Sequence, residues 1–277
     1  MMRRPPPAIL LLLAILAGFV VMALAAPLLA PYDPLHQSLL ARLRPPGTAL
    51  RAGHFLLGTD DLGRDLLSRL IFGARVSLAV AASSVAVSLA TGSLLGLLAG
   101  WRRGWSEIVI MRLVDSMLSI PAILLAVLTV AVLGPGFVKL VLVLGLTRWP
   151  RYTRVAYAQT LQVAALPYIR AAEMAGCRPW RILLRHILPN IAGPLLVVAT
   201  SEFGLMILFE AGLSFLGLGI QPPTPSWGSI MSAGRDYVAR AWWLTVFPGA
   251  ALFLLVLSVN LLGDWLRDRL DPRSATR

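Results

Sequence analysis

Lysine, cysteine, histidine and acidic residues are all scarce in this 277-residue chain, and each scarcity removes a class of protein. The only lysine, Lys139, follows Phe137 and Val138 and precedes Leu140. A nucleotide-binding P-loop needs a lysine beside Ser or Thr after a Gly-rich turn to hold the phosphates, so the chain does not bind ATP in that way. The single cysteine, Cys177, excludes an intramolecular disulfide and any CxxC metal or redox site. His36, His54 and His186 are far apart and have no neighbours at ligand spacing, so no metal site is expected. No nucleophile stands with a partner base and no acids are paired. Neither catalysis nor a resident cofactor is expected in this chain.

What the chain has in abundance is apolar sequence. With 57% hydrophobic residues, 14% charged residues and a mean hydropathy of +0.76, it belongs to the multispanning membrane class. A formal charge of +12 raises the possibility of nucleic-acid binding. The arginines are scattered between apolar runs and form no basic face or known binding motif, so they read as topology signals and no nucleic-acid partner is expected.

A helix needs about 20 residues to cross the hydrocarbon core. Apolar runs of that order lie at Ala8–Ala30, Val76–Gly100, Ile108–Leu133, Ile191–Leu213 and Ala241–Gly263. A further span from near Pro135 past Arg148 is short of apolar residues, but its long basic side chains can snorkel. The predicted fold is an all-α membrane protein of six transmembrane helices in one domain. Residues 1–7 and 267–277 are then cytosolic, 8–30 form the first helix, 31–75 an extracytoplasmic loop with an interfacial helix, and 76–266 the remaining five helices.

In that orientation sixteen basic residues are cytosolic and nine are not, as the positive-inside rule requires. The sixteen are Arg3 and Arg4; Arg102, Arg103 and Arg112; Arg148, Arg151 and Arg154; Arg170, Arg178, Arg181 and Arg185; and Arg267, Arg269, Arg273 and Arg277. Arg51 is among the nine. Arg3, Arg4 and the run ending at Ala23, Leu24 and Ala25 also fit a cleavable signal peptide, but the run is longer than a usual signal core and reads as a retained anchor.

In the 31–75 loop, Thr59 is placed to cap a helix whose first turn carries Asp60 and Asp61, with Leu62, Leu66, Leu67 and Leu70 on one face along the interface. In the 214–240 loop, Pro222, Pro223 and Pro225 forbid regular helix, and Phe215 and Trp227 suit the headgroup boundary. This loop is either a plain connection or a lid at the outer mouth. Gly92, Gly96 and Gly100 give the second span a flat face for close helix packing, inside this subunit or at a seam with another. Pro121, Pro150, Pro194 and Pro248 are candidate kinks.

The most informative stretch is Tyr168–Pro189, YIRAAEMAGCRPWRILLRHILP. Gly176 suits the stop of a short helix and Pro179 the first turn of another. The first helix carries Arg170 and Glu173 at pairing distance beside small Ala171, Ala172 and Ala175. The second carries Arg178, Arg181 and Arg185 with Trp180, and ends where Pro189 opens the fifth span. A basic, small-cornered elbow on the cytosolic side is suited to a soluble partner, which makes the chain a transporter subunit driven from outside itself. Resting on lipid headgroups would explain the arginines and Trp180 but not the small corner.

Three acids fall within spans and are pathway candidates. Asp115 is spaced to pair with Arg112 at i, i+3. Glu202 has no local cation and either lines the pathway or pairs with another subunit. Glu210 is nearer the outer end and within reach of water.

The order Ala171, Ala172, Gly176, Leu188, Pro189 resembles the EAA loop of ABC importer permeases, with Arg170 where that motif usually has Glu and His186 where it has Ile. LGTDDLGRDLLSRLIFGARVSL, LSFLGLGIQPPTPSWG and NLLGDWLRDRLDPR resemble the C-type permease of dipeptide, oligopeptide and nickel importers, from about Pro31 to Arg273. The resemblance implies a type I importer fold in the cytoplasmic membrane, a heterodimer with a B-type permease, two cytosolic ATPases that bind ATP and Mg, and an extracytoplasmic substrate-binding protein. It also implies that Arg170, Ala171, Ala172, Glu173, Gly176, Cys177, Arg178, Arg181, Leu188 and Pro189 form the ATPase-coupling loop. Short peptides are the expected cargo, with nickel or another small solute the alternative. A secondary carrier would show an inverted repeat, and a membrane enzyme would need a reactive constellation; neither is found.

Overall fold

A computed structural model describes residues 6–50 and 53–270. Arg3, Arg4, Arg51, Arg273 and Arg277 lie outside the described residues. Among the described residues the regular structure is helical apart from one small pair of strands. Helices α1 (Pro7–Leu24) and α2 (Ala26–Leu29) precede antiparallel strands β1 (Thr48–Leu50) and β2 (Gly53–Phe55), in which Ala49 faces His54. Then follow α3 (Leu66–Arg102), α4 (Trp105–Leu118), α5 (Ala122–Leu133), α6 (Phe137–Ala164), α7 (Pro167–Met174), α8 (Pro179–Ile182), α9 (Leu188–Phe215), α10 (Trp227–Gly234) and α11 (Trp243–Leu270).

Among the described residues four helical stretches are long and apolar enough to span: Pro7–Leu24, Leu66–Arg102, Pro179–Phe215 and Trp243–Arg269. The expected third span is broken, because α4 and α5 meet at 88°. Pro121 sits at the break, where it supplies no N–H and disfavours helix in the residue before it. Counted as one span, the pair makes five. The weak fourth span is the 28-residue helix α6. It is about 42 Å long at 1.5 Å per residue, ample to cross, but it is too charged to qualify by composition.

The chain forms two compact units. The first comprises the described parts of Met1–Ala82, Thr129–Val141 and Phe203–Leu262. Its loop between β2 and α3 corrects the expected interfacial helix, because Leu66 and Leu70 belong to the long helix α3 and Leu66 is fully buried. Thr59 does not cap: its hydroxyl accepts from Arg44 N (2.9 Å) and donates to Ala41 O. The cap is Asp65, whose Oδ2 accepts from the backbone and hydroxyl of Ser68 (2.8 and 2.7 Å). Asp60 instead holds the loop closed. Its Oδ1 accepts from Leu62 N and Arg64 N (both 2.9 Å), and its Oδ2 meets Arg64 Nε at 2.6 Å and Arg69 Nε at 3.3 Å. The residues are right for a helix start, but a buried aspartate gains more from charge-assisted contacts with two arginines than from a helix dipole.

The 214–240 loop carries α10, which begins directly after the prolines. Ser226 and Ser229 form a reciprocal capping box there (3.2 and 2.9 Å). Trp227 is fully buried rather than at the headgroup boundary. Its Nε1 donates to Leu70 O (2.9 Å), and Trp243 Nε1 donates to Thr59 O (3.1 Å).

The second unit comprises the described parts of Ser83–Leu128, Leu142–Glu202 and Gly263–Arg277. In it the glycine face of α3 is a seam against α6 within this chain. A Cβ at Gly92 would lie 2.5 Å from Trp149 O, at Gly96 2.5 Å from Ala156 Cβ, and at Gly100 2.8 Å from Thr160 Cβ. Gly96→Ala should therefore destabilise the detergent-solubilised protein by about 2 kcal/mol, the usual cost of overpacking. Gly249→Ala, whose nearest neighbour would be Met231 Cε at 3.9 Å, should be neutral or stabilising in the same denaturation assay.

Candidate functional site

The elbow at residues 168–189 is built as the sequence suggests at its first corner. Helix α7 begins at Pro167 and ends in a Schellman turn: Cys177 N donates to Ala172 O (3.1 Å) and Gly176 N to Glu173 O (2.9 Å). Gly176 has φ +75°, the left-handed conformation the turn demands. Arg178 is extended and Pro179 opens α8.

The second corner differs from expectation. α8 is a single turn that runs through a π-helical segment, Leu183–Ile187, straight into α9. Pro189 therefore lies inside a continuous helix and does not open the span. Its missing N–H leaves a carbonyl one turn earlier without its usual donor, and the wider i to i+5 register of the π segment absorbs the disruption.

One core seats the elbow. Ile169 of α7, Ile182 of α8 and Ile187 of the π segment are buried with Leu97 of α3, Tyr152 and Ala156 of α6, and Ile191 and Leu195 of α9. Ala172, Cys177 and Leu188 pack against the same cluster. Arg170, Ala171, Glu173, Gly176, Arg178, Arg181 and Pro189 are exposed. Met174 (85%) and Trp180 (55%) are exposed apolar side chains among them. The predicted Arg170–Glu173 pair is not among the ion pairs of the described residues. Both side chains are left facing outward, beside small alanines.

The three membrane acids are all placed differently from the sequence reading. Asp115 pairs with Arg154 of α6 (2.5 Å), not with Arg112, and both partners are about half exposed. Glu202 is fully buried and finds its cations within this chain. Arg148 binds it with two parallel bonds, Nε to Oε2 and a terminal nitrogen to Oε1, both 2.8 Å, and Arg151 Nη1 adds a contact to Oε1 at 3.0 Å. Glu210 does not reach water. It is fully buried in the first unit, where Ser214 Oγ donates to its Oε1 (2.8 Å) and the hydroxyls of Ser77 and Ser226 lie beside it. Ser214 Oγ in turn accepts from Ile220 N (3.1 Å), so the acid organises the start of the loop before α10.

The arginine ladder was the missed signal. Arg148, Arg151 and Arg154 recur every third residue along one stripe of α6, and such a row inside a membrane helix requires acids on the neighbouring helices. Tyr157, the next step of that row, donates its hydroxyl to Glu107 of α4.

A multispanning helical unit with an anchored elbow between two long helices is the architecture of an importer permease. Residues 92–276 match the family model described as binding-protein-dependent transport system inner membrane component, and the chain belongs to that family. It is 49% identical to the di/tripeptide transport system permease protein DppC of Pseudomonas aeruginosa (strain UCBPP-PA14), over 92% of this chain and 84% of that one. It is 41% identical to the probable D,D-dipeptide transport system permease protein DdpC of Escherichia coli (strain K12), over 94% and 86%. It is also 41% identical to the glutathione transport system permease protein GsiD of Pectobacterium atrosepticum, over 94% and 87%. Among solved structures, an inward-facing MetNI methionine ABC transporter chain superposes with a TM-score of 0.57 at 20% identity, covering 73% of this chain and 96% of that one. A chain of an amino acid ABC transporter superposes at 0.55 with 17% identity, covering 74% and 95%. The fold is that of a type I ABC importer permease.

The two ion pairs of α6 should differ sharply on mutation. Glu202→Ala removes the carboxylate that the largely buried Arg148 meets and should cost about 3 kcal/mol. Asp115→Asn breaks a half-exposed pair and should cost under about 1 kcal/mol, both read by chemical denaturation in detergent.

Proposed function

We propose that this chain is the permease subunit through which short peptides cross the cytoplasmic membrane, and that its elbow is the coupling surface for separate ATPases. It pairs in this reading with a second, B-type permease, rests on two cytosolic ATPases that bind ATP and Mg, and receives cargo from an extracytoplasmic binding protein. The chain itself is not an enzyme and carries no cofactor. The cargo is inferred from the peptide and glutathione permeases it resembles. Both termini and the elbow are cytosolic, in keeping with the arginine distribution.

The observation that carries the reading is the division of labour in the elbow. Its inner side, Ile169, Ile182 and Ile187, is locked into a core shared by α3, α6 and α9, while its outer side offers Ala171, Ala175, Met174 and Trp180 among charged residues. A surface that is apolar, exposed and rigidly tied to three long helices transmits a push. Contacts with a partner drive the permease between states only if that partner binds one state several kcal/mol better than the other. The sole lysine supports borrowed energy, since Lys139 Nζ is engaged with Leu133 O at 2.6 Å and lies in no Gly-rich phosphate loop.

Gly176 tests the coupling. A Cβ there would meet nothing within 4 Å, so a substitution acts on the turn and not on packing. Gly176→Val should strain the left-handed corner by about 1–2 kcal/mol, leaving insertion and ATP hydrolysis in place while peptide uptake into proteoliposomes collapses. Gly176→Asn, which tolerates this conformation, should retain most uptake. Wild-type uptake by the valine variant would remove the elbow from the mechanism.

A further inference from the structure

Arg151 stands near the middle of α6, about 20 Å from either end at 1.5 Å per residue, and its side chain is 53% exposed. The arginine distribution sets this stretch of α6 toward the cytosolic side, where so exposed a guanidinium is open to water, a ligand or a protein partner. Among the described residues its one ion-pair contact, with Glu202, duplicates a pairing that Glu202 already has. Glu202 already has both oxygens engaged by Arg148 at 2.8 Å, in the fork geometry that is the strongest carboxylate recognition available. Arg151 adds a third, longer contact, to an oxygen that already accepts from Arg148. Two guanidiniums on one carboxylate also leave the cluster one positive charge in excess. If Arg151 swings away, Glu202 keeps a counter-charge and no buried acid is orphaned.

From this geometry we propose that Arg151 is a transferable carboxylate receptor, which leaves Glu202 to bind the C-terminal carboxylate of a peptide passing through the inner half of the permease. Glu202 and Arg148 are the positioning pair: they hold Arg151 extended and ready between passages, so its guanidinium keeps a carboxylate contact while the site is empty. Release returns Arg151 to Glu202 Oε1, and this exchange of one carboxylate for another costs little in either direction. A site that binds weakly and reversibly is what a pathway needs, since tight capture would halt transport. The proposal rests on the peptide reading of the cargo.

The test uses the transporter assembled with its partner subunits in proteoliposomes. Uptake of alanyl-alanine and of its C-terminal amide is compared between wild type and Arg151→Gln. Loss of a charge-assisted bond should lower free-acid uptake about tenfold while amide uptake changes little. An equal effect on both peptides, or none on either, overturns the carboxylate site while leaving peptide transport intact. Failure of the wild type to take up any peptide overturns the cargo reading and this proposal with it. Independently of cargo, an anionic water-borne thiosulfonate should label Arg151→Cys in the assembled complex, above the signal from Cys177, and alanyl-alanine should slow that labelling. A thiol that stays unlabelled would place position 151 against the partner permease and overturn the site.

Discussion

An ionised side chain inside a membrane protein must meet its opposite within the protein, and the meeting of Glu202 with Arg148 and Arg151 satisfies that constraint in the elbow-bearing unit. Helix α6 has the length of a span but not the composition of one, and α9 carries an acid where apolar residues are expected. Each is unfavourable alone. Together they form a buried, doubly bonded pair that fixes how α6 and α9 face each other, and these two helices flank the elbow. The glycine seam of α3 presses on the same stretch of α6, at Trp149, Ala156 and Thr160. Polar pairing and close backbone approach thus specify one arrangement, where lipid-like side chains alone would allow sliding.

The elbow inherits its rigidity from that arrangement. Tyr152 and Ala156 of α6, and Ile191 and Leu195 of α9, belong to the cluster that buries Ile169, Ile182 and Ile187. The Schellman turn closes one corner with backbone bonds, and the π segment closes the other without breaking the helix. Continuity through Pro189 ties the elbow to α9, where a true break would separate them.

Much of this was legible in the sequence, and what was illegible has a common cause. Apolar runs revealed most spans because length and hydropathy are local properties. Gly176 and Pro179 located the elbow because their backbone restrictions are local too. The glycine repeat announced close packing but not its partner. The acids were misread because pairing depends on which helices are neighbours: Asp115 was assigned to Arg112 by sequence distance, yet meets Arg154 across a helix interface. Asp60 and Thr59 fit a helix start by type, but a pair of downstream arginines and the Arg44 and Ala41 backbone claim them instead. Trp227 suited the interface by its amphipathic ring, but its indole found a backbone carbonyl in a buried site.

The placement of charge also separates structural roles from functional ones. Asp60 and Glu210 are enclosed with donors that do not move without dismantling a loop. The Glu202 cluster is different, since its acid is enclosed but one of its two cations is half in the open. A cluster serving stability alone would gain little from that third contact, since a half-exposed guanidinium beside a carboxylate already paired with Arg148 adds little to folding. The surplus is intelligible where charge must be offered and withdrawn repeatedly, as on a route taken by ionised cargo. The same argument explains why Asp115 of α4 and Arg154 of the α6 stripe, both half exposed, form a pair of matched charge with no surplus to offer.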